Sequence, residues 1–401
     1  MRPIEKITPD FPEAGRTDYR PIGLLSVAHT SDDINQAVVP AMLPYFISAY
    51  HLTYAAAAGL VLAQTLASSV AQPLFGMFAD RRPSPWLIPL GLSVAGFGVA
   101  AAGLLPSYWL IFTAIAVSGL GVSAFHPEAA RWTRYFGGTN QGTAMSVFAV
   151  GGNVGFAVGP LMITPIMVGF GVRGAIVLTV PVLIMSLILL RQMPQLTRAR
   201  QPRGPAKHVT VEGREQWGAF ICLAIVVMIR SVVFFGLNTF IPLYWFIVLH
   251  TSKARGGYAL SILLSAAAIG TLVGGRMADW YGRKIVVICS VIGLMIFLFA
   301  FTNSSTVTMA TVLLIPLGFA LAASSSVLVV MGQEYLPNRV GLAAGVTFGL
   351  SMTVGGIFAP VFGTIADHHG LHAALRLLCL VPMLGLAFSL MLREPSAGAY
   401  Q

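Results

Sequence analysis

The sequence predicts an all-α membrane protein whose twelve transmembrane helices form two pseudo-symmetric six-helix bundles. Three observations support this fold class. Of the 401 residues, 56% are hydrophobic and only 9% are charged, whereas about a quarter of an ordinary soluble domain is charged. The hydrophobic residues form long runs between short polar breaks, and the second half of the chain repeats landmarks of the first. This composition excludes a water-soluble enzyme of the same length.

The hydrophobic runs number twelve, and each approaches or exceeds the roughly 20 residues that a membrane-spanning helix needs. The first six cover residues 22–48, 54–79, 85–105, 108–130, 139–169 and 173–191. The next six cover residues 217–249, 257–278, 285–303, 306–331, 340–365 and 373–392. We therefore expect five regions: a cytoplasmic tail (1–20), an N-terminal bundle (21–191), a basic cytoplasmic linker (192–216), a C-terminal bundle (217–392) and a cytoplasmic tail (393–401).

The positions of the basic residues predict that both termini face the cytoplasm. In that orientation the cytoplasmic segments hold 19 of the 24 Lys and Arg residues and the outer loops hold four, as the positive-inside rule requires. This placement accounts for the net charge of +10 without a nucleic-acid partner. The first 20 residues mix acidic and basic side chains, which a cleaved secretory signal does not. The first run is therefore expected to be an uncleaved helix.

The two halves of the chain repeat with a fixed spacing. Residues 76–80 read Gly-Met-Phe-Ala-Asp and residues 275–279 read Gly-Arg-Met-Ala-Asp, an offset of 199 residues. Gly142 and Gly341 share this offset. Parallel six-helix repeats occur in transporters that move two bundles around a central site. The repeat therefore favours alternating access over an open channel.

The loop at 275–284, Gly-Arg-Met-Ala-Asp-Trp-Tyr-Gly-Arg-Lys, resembles the loop signature of the major facilitator superfamily. Residues 76–81 resemble a degraded copy, in which Pro83 and Ser84 follow where the pattern has Gly-Arg. A carboxylate at a helix end can face the positive N-terminus of another helix. The alternative is a tight turn flanked by cations that set the topology. We expect a conformational gate at Asp80, Arg81, Gly275, Asp279 and Arg283 and, at the end of the fourth helix, Glu128 and Arg131.

The fifth helix carries Gly151, Gly155 and Gly159 at intervals of four, followed by Pro160. Glycines at this spacing lie on one face and let two helices pack closely. The terminal Gly-Pro resembles the motif that marks antiporters within the superfamily. A packing stripe and an antiporter signature are both consistent with these residues.

Three further segments resemble the fosmidomycin resistance protein family of efflux carriers. They are His-Thr-Ser-Asp-Asp at 29–33, Phe-His-Pro-Glu at 125–128 with Arg131, and Val-Gly-Gly-Asn at 150–153. The resemblance implies proton-driven export of a small drug or metabolite, for which an anionic phosphonate is a candidate. It also implies a monomer in the bacterial inner membrane that is driven by the proton gradient and needs no cofactor. Uptake of an organic anion by proton symport on the same fold is the alternative.

Asp32 and Asp33 lie about eleven residues into the first predicted helix, near the bilayer centre. An ionised carboxylate costs several kcal/mol there unless it is paired, so ionisable residues at this depth are candidates for function. His29 precedes them by one helical turn and can share a proton with one of them. We predict that Asp32, Asp33 and His29 couple transport to protons. A polar network that only fixes the helix is the alternative.

Arg230 lies about 13 residues into the seventh predicted helix, and the repeat offset maps it onto Ser31, beside Asp32. Its guanidinium can bind a carboxylate or an anionic substrate. We expect Arg230 and Asp32 to meet across a central cavity and the substrate to compete for Arg230; a static pair joining the bundles is the alternative. Other candidate substrate contacts, which could equally join helices, are Gln64, Asn153, Asn238, Tyr45 and Tyr244.

The sequence gives no support for an enzyme or a metal centre. No His-Glu-x-x-His pattern is present, and such a pattern would be needed for one common class of metalloenzyme. His368, His369 and His372 fall in an outer loop without a carboxylate partner among them, so we interpret them as a hydrated turn. The cysteines at 222, 289 and 379 lie inside hydrophobic runs and are interpreted as packing residues.

Overall fold

The computed structural model describes residues 17–81, 84–198, 215–304 and 306–394, and this part of the chain is helical without β-strands. The N-terminal half contains α1 (Tyr19–Tyr50), α2 (Tyr54–Arg81), α3 (Leu87–Ala102), α4 (Tyr108–Gly137), α5 (Gln141–Phe170), a 3-10 segment (Gly171–Leu178) and α6 (Thr179–Arg198). The C-terminal half begins with α7 (Trp217–Ile247), α8 (Lys253–Tyr281), α9 (Arg283–Thr302), α10 (Val307–Ala323) and α11 (Ser325–Tyr335). It ends with a 3-10 turn (Pro337–Arg339), α12 (Val340–Ala344), a π segment (Gly345–Leu350), α13 (Ser351–His369), α14 (Leu371–Leu378) and α15 (Val381–Met391).

These helices form the twelve predicted spans within the described residues. Nine stretches are long and apolar enough to cross a membrane, and one of them, Gln141–Met193, contains α5 and most of α6. The two remaining spans are α1, which carries two buried aspartates, and the 16-residue α3. In the second half, α10 with α11, α12 with α13, and α14 with α15 each form one interrupted span.

The predicted helix boundaries agree with the structure within four residues except at the ends of the fourth and sixth spans, where α4 and α6 each continue seven residues beyond the predicted end. The fourth span was predicted to end at residue 130, but α4 continues through the buried Trp132 and Phe136 to Gly137 and carries Arg134 in its last turn. Basic side chains are favourable at that end of a helix because they interact with its negative pole. Residues 1–16 and 199–214, which cover most of the predicted tail and linker, lie outside the described residues.

The backbone contains the same repeat as the sequence. His51 (φ 51°) and His250 (φ 48°) follow the first helix of each half in the left-handed conformation, 199 residues apart. Gly171 (φ 59°) and Gly370 (φ 84°) show the same spacing after the fifth and eleventh spans. Non-glycine residues rarely adopt positive φ, so the shared positions support a duplicated six-helix unit.

Packing divides the helices into two bundles. In the first half α1 packs on α5, and α4 packs on α2 and α3. In the second half α10 packs on α8 and α9, and α15 packs on α7. The bundles meet mainly where α2 lies along α13 and α5 lies along α8. The protein therefore has two six-helix bundles with an interface formed mainly by two pairs of helices.

The outer ends of the bundles are joined by a carboxylate. Near the end of α13, Asp367 accepts hydrogen bonds from the backbone N–H groups of Tyr54 (2.7 Å) and Ala55 (3.0 Å) at the start of α2. This contact satisfies two of the amide groups that a helix start leaves free, and it places a negative charge at the positive end of the helix. A Cβ atom at Gly363 would lie 2.7 Å from Ala55 Cα, so the two helices pack closely here.

Two further contacts between the bundles lie at the outer end or halfway along the helices. The Lys253 ammonium, at the start of α8, is 5.4 Å from the ring centroid of Tyr45 in α1. Ser69 and Thr353 form a hydrogen bond of 2.7 Å halfway along α2. The structure is therefore closed at its outer face.

Candidate functional site

Three side chains of α1 and one of α4 form a buried cluster of two carboxylates and two imidazoles. His29 Nε2 lies 3.1 Å from one oxygen of Asp33, and His126 Nε2 lies 3.4 Å from the other. His126 Nδ1 lies 3.4 Å from an oxygen of Asp32. Asp32 is fully buried, and Asp33 and His29 are 4% and 8% exposed. The predicted proximity of His29 to the aspartates is confirmed for Asp33, one helical turn away.

The backbone contacts of the imidazoles define where their hydrogens lie. His29 Nδ1 is 2.8 Å from the carbonyl oxygen of Phe148, and His126 Nδ1 is 3.0 Å from that of Val122. A carbonyl oxygen only accepts, so each Nδ1 carries a hydrogen. The two Nε2 atoms then face each other at 3.2 Å. This contact is attractive only if a proton lies between them or on one of them, so the geometry fits a protonated imidazole pair beside Asp33.

The two aspartates differ in how well they are compensated. Asp33 accepts a hydrogen bond from Gln36 Nε2 at 2.7 Å in addition to its contacts with both imidazoles. Neither oxygen of Asp32 has a hydrogen-bond partner, although His126 lies nearby. A buried carboxylate without partners is costly in its ionised form. Asp33 is therefore the centre of the cluster, and Asp32 is its uncompensated neighbour.

The glycines of α5 allow this helix to pack against α1 beside the cluster. A Cβ atom at Gly151 would lie 2.2 Å from the carbonyl oxygen of Ser26, and one at Gly155 would lie 2.5 Å from that of Thr30. Gly159 similarly contacts Ala37. The predicted packing face is confirmed, with Pro160 directly after it in α5. The antiporter meaning of this motif stays a prediction.

His126 belongs to the cluster, although the sequence placed its neighbours Glu128 and Arg131 at the end of the fourth helix, in the cytoplasmic gate. The early predicted end of the fourth helix placed it close to the membrane surface. In the structure it lies 11 residues before Gly137, or about 16 Å at 1.5 Å per residue, a depth comparable with that of Asp33. Arg134 was the sequence signal that the helix continues. His126 is therefore a candidate proton-coupling residue that the sequence interpretation did not assign.

The cluster also meets the spacing requirement for a metal ion. His29, Asp33 and His126 each place one ligand atom within 4.8 Å of the others. Imidazole and carboxylate are ligands that zinc accepts, usually with a fourth partner. The three outer histidines lie in helices rather than in the expected loop: His368 and His369 end α13, and His372 in α14 has its Nε2 2.7 Å from the carbonyl oxygen of Thr302.

Arg230 lies in α7 at the depth that the repeat predicted, but it does not contact the aspartates. It is 13 residues from the start of α7, as Asp32 is from the start of α1. Its Nη1 donates to Ser325 Oγ at 2.9 Å, and its buried Nε has no partner. Among the described residues no ion pair joins Arg230 to a carboxylate. The expected meeting of Arg230 and Asp32 is therefore wrong for this conformation, because both side chains stay within their own bundles.

The other predicted substrate contacts fall into two groups. Asn238 is 3% exposed with an unpartnered Oδ1, and the Tyr45 hydroxyl is likewise buried and unpartnered. Asn153 is partly buried. Gln64 instead joins helices by donating to the carbonyl oxygen of Asn35 at 3.0 Å. Tyr244 packs among the rings of Trp245, Phe301 and His372. Gln64 and Tyr244 therefore have structural partners in this conformation.

The predicted gate residues form contacts within each bundle. Arg131 makes a bidentate pair with the fully buried Glu128, at 2.6 and 3.0 Å. Glu128 also accepts from the backbone N–H of Ser84 at 2.9 Å, which ties α4 to the loop after α2. Arg283 pairs similarly with Glu334 at the end of α11. These contacts fix the cytoplasmic loops within each bundle.

The aspartates of the repeated loops are not engaged in the described contacts. Asp279 is exposed near the end of α8, close to Gly275, and forms no described ion pair or hydrogen bond. The side chains of Asp80 and Arg81 lie outside the described residues. The gating role of these residues stays a prediction.

The family of the chain follows from comparison with known proteins. The family model described as Major Facilitator Superfamily matches residues 25–360. The chain belongs to this superfamily. Its members are transport proteins, so this chain is a multi-pass membrane transporter for small molecules and not an enzyme.

Two curated proteins are similar to this superfamily member over nearly the whole chain. The fosmidomycin resistance protein of Escherichia coli is 30% identical over 376 residues, covering 92% of both chains. The uncharacterized MFS-type transporter YfnC of Bacillus subtilis is 30% identical over 396 residues, covering 97% of this chain and 96% of the relative.

The structural neighbours share the fold at low sequence identity. A bacterial homologue of the human lysosomal transporter Spinster, in an inward-facing and occupied conformation, gives a TM-score of 0.78 at 16% identity over 93% of this chain and 96% of its own. A D-xylose–proton symporter gives a TM-score of 0.73 at 14% identity over 94% and 97%.

Proposed function

We propose that this transporter exports a small drug or metabolite in exchange for protons by alternating access. The observation that carries the proposal is the buried cluster of His29, Asp33 and His126, with Asp32 beside it. Four titratable groups at membrane depth are costly to maintain, and such groups in transporters serve proton transfer. The resemblance to the fosmidomycin resistance protein supports export as the direction.

The cluster offers a route for coupling within one bundle. A proton shared between the two imidazoles can pass to Asp33, which contacts both rings. Asp32 contacts Nδ1 of His126, the nitrogen that faces away from His29. Loss of a proton leaves a buried carboxylate uncompensated, which disfavours that state unless the surroundings change. A rearrangement of the bundles that gives the cluster access to the other side of the membrane relieves this cost.

The candidate substrate is a small anion, and a phosphonate such as fosmidomycin is the first to test. Arg230 supports this choice because a permanent cation lies at membrane depth without a carboxylate partner among the described residues. A guanidinium binds oxyanions bidentately. We propose that the transporter works as a monomer in a bacterial inner membrane. It requires no cofactor or metal.

The direct test is a growth assay in a drug-sensitive bacterium that expresses the chain, with a compound panel that includes fosmidomycin. Export predicts resistance to at least one compound, whereas uptake by symport predicts increased sensitivity. Asp33→Asn, expressed to the same level, is the matched control and should remove the effect. In membrane vesicles the flux should follow an imposed proton gradient and should be unaffected by a metal chelator. Gradient-independent flux, or flux lost with the chelator, would contradict the proposal.

A further inference from the structure

We infer that Arg230 and Ser325 form the binding subsite for the anionic group of the substrate, within the C-terminal bundle alone. Ser325 was not among the residues that the sequence singled out. The inference rests on the proposed function and adds a location for the substrate: the anion binds in one bundle, and the proton cluster lies in the other.

The first observation is the uncompensated charge of Arg230. A guanidinium has five N–H groups, and the structure gives this one a neutral serine partner and a buried, unpartnered Nε. The membrane-helix carboxylates of the C-terminal bundle, Asp279, Glu334 and Asp367, all lie within two residues of a helix end. Arg230 lies 13 residues into α7, about 20 Å from its start. A bound anion would supply the missing charge.

The second observation is the break in the tenth span, which begins where Arg230 makes its contact. α10 ends at Ala323, and Ser325, the partner of Arg230, is the first residue of the 11-residue α11. Two carbonyl oxygens near the end of α10 accept from side chains, Ala320 from Ser290 at 2.6 Å and Ala322 from Thr271 at 3.5 Å. The carbonyl end of the break therefore already has hydrogen-bond donors.

The amide end of the break points to an anion. The N-terminus of a helix carries a partial positive charge, and broken membrane helices in transporters direct this end at anionic substrate groups. Here the first residue of α11, Ser325, contacts the Arg230 guanidinium, and no described carboxylate balances that charge. The chemistry matches a small oxyanion that takes the guanidinium fork and the serine hydroxyl together, and a phosphonate group supplies several oxygen acceptors for them.

The test is binding of methylphosphonate to the purified full-length protein in lipid nanodiscs, by titration calorimetry without a proton gradient. Wild type should bind methylphosphonate and should not bind its uncharged dimethyl ester. Arg230→Gln should weaken binding roughly 10- to 150-fold, as expected for a lost charge-assisted hydrogen bond, and Arg230→Lys should weaken it less. Ser325→Ala should weaken binding about 2- to 12-fold, the range for a neutral hydrogen bond.

Ser326→Ala is the matched control, because its hydroxyl contacts the carbonyl oxygen of Thr271 rather than Arg230, and it should bind as wild type. If Arg230→Gln does not fold, Arg230→Lys and Ser325→Ala decide the result. Equal binding by wild type and both of these variants, equal binding of the neutral ester, or no binding of methylphosphonate would overturn the subsite. Binding that requires Arg230, without export in cells, would support the subsite and refute the proposed function. Export in cells, with unchanged methylphosphonate binding in the Arg230 variants, would support the proposed function and refute the subsite.

Discussion

The first helix of each repeat, α1 and α7, occupies an equivalent position but carries a different chemistry. At 13 and 14 residues from its start, α1 has two adjacent carboxylates, Asp32 and Asp33, and Asp33 contacts two imidazoles. At the same depth, α7 has a lone guanidinium with a serine partner. A compensated cluster can hold and release a proton, whereas an uncompensated cation attracts an anion. The duplication therefore supplied one scaffold twice, and the two copies support separate roles.

This comparison changes the coupling mechanism that the sequence suggested. A direct exchange between Asp32 and the substrate for Arg230 requires the two residues to meet, and in the described conformation they do not. Coupling between separate sites can instead act through the movement of the bundles, because each ligand needs only to favour one arrangement over the other. The predictions below test whether the roles of α1 and α7 are separate.

The largest effect is expected at the centre of the cluster. Asp33→Asn removes the carboxylate that contacts both imidazoles, and an amide cannot exchange a proton. Gradient-driven transport in vesicles should fall to the level of vesicles without the protein, while the variant still inserts and purifies as a monodisperse protein. Asp32→Asn should have the smaller effect, because Asp32 contacts one imidazole only. Full gradient-driven flux in both variants and in the double variant would remove the proton role of α1.

A steric change tests the same cluster without altering a titratable group. A Cβ atom at Gly152 would lie 2.5 Å from Asp33 Oδ2 and 2.6 Å from His29 Cε1, a spacing that the side chains must relieve by moving. Gly152→Ala should therefore reduce proton-driven flux and shift its pH profile. Gly142→Ala, on the same helix with open space around the position, is the control and should behave as wild type. An unchanged pH profile in Gly152→Ala would indicate that the imidazole–carboxylate contact is not used.

The smallest effects are expected at the ends of the bundles. Asp367→Asn weakens the cap on α2, and a cap of about 1 kcal/mol corresponds to roughly a fivefold shift of an equilibrium. The outer face should open more often, which increases labelling of a cysteine introduced as Thr164→Cys beside Gly257 in a background without native cysteines.

The cytoplasmic loop provides the opposite case. Asp279 is exposed and makes no described ion pair or hydrogen bond in this conformation. We therefore expect its contacts to stabilise the other conformation, which is open at the outer face. Asp279→Ala should slow switching and leave equilibrium affinity for substrate nearly unchanged, and Asp80→Ala should act in the same direction. Loss of substrate binding without a change in the rate of switching would contradict this role of Asp279 and Asp80. Unchanged cysteine labelling in Asp367→Asn would contradict the role proposed for the cap at the outer face.

The sequence predicted the fold well because its signals are direct. Run length sets the number of spans, cation placement sets their orientation, and the 199-residue offset reappears in the backbone at His51 and His250. The contact of His29 with Asp33 followed from helical spacing alone. These features depend on positions along the chain, which the sequence states explicitly.

The rest of the site depends on which neighbouring helix each side chain faces, and positions along the chain do not give this. The offset gave the depth of Arg230 but not the side to which its guanidinium points, so its partner Ser325 was missed. Polarity made Gln64 and Tyr244 candidates for substrate contact, yet one joins helices and the other packs among aromatic rings. His126 was misplaced because α4 continues to Gly137, beyond the end that was predicted at residue 130. Neighbouring helices decide these contacts.

The central claim is that the proton cluster and the anion subsite are separate, and a double-mutant cycle tests it most directly. Methylphosphonate binding is measured for wild type, Asp33→Asn, Arg230→Lys and the double variant, in nanodiscs without a gradient. Distant, independent sites are additive within about 0.3–0.5 kcal/mol, which is roughly a twofold change in affinity. The account predicts that Arg230→Lys weakens binding by the same factor, within about twofold, in both backgrounds. If the loss of affinity caused by Arg230→Lys differs by much more than this limit in the Asp33→Asn background, the two residues share one site. That result would contradict the separation of roles between α1 and α7.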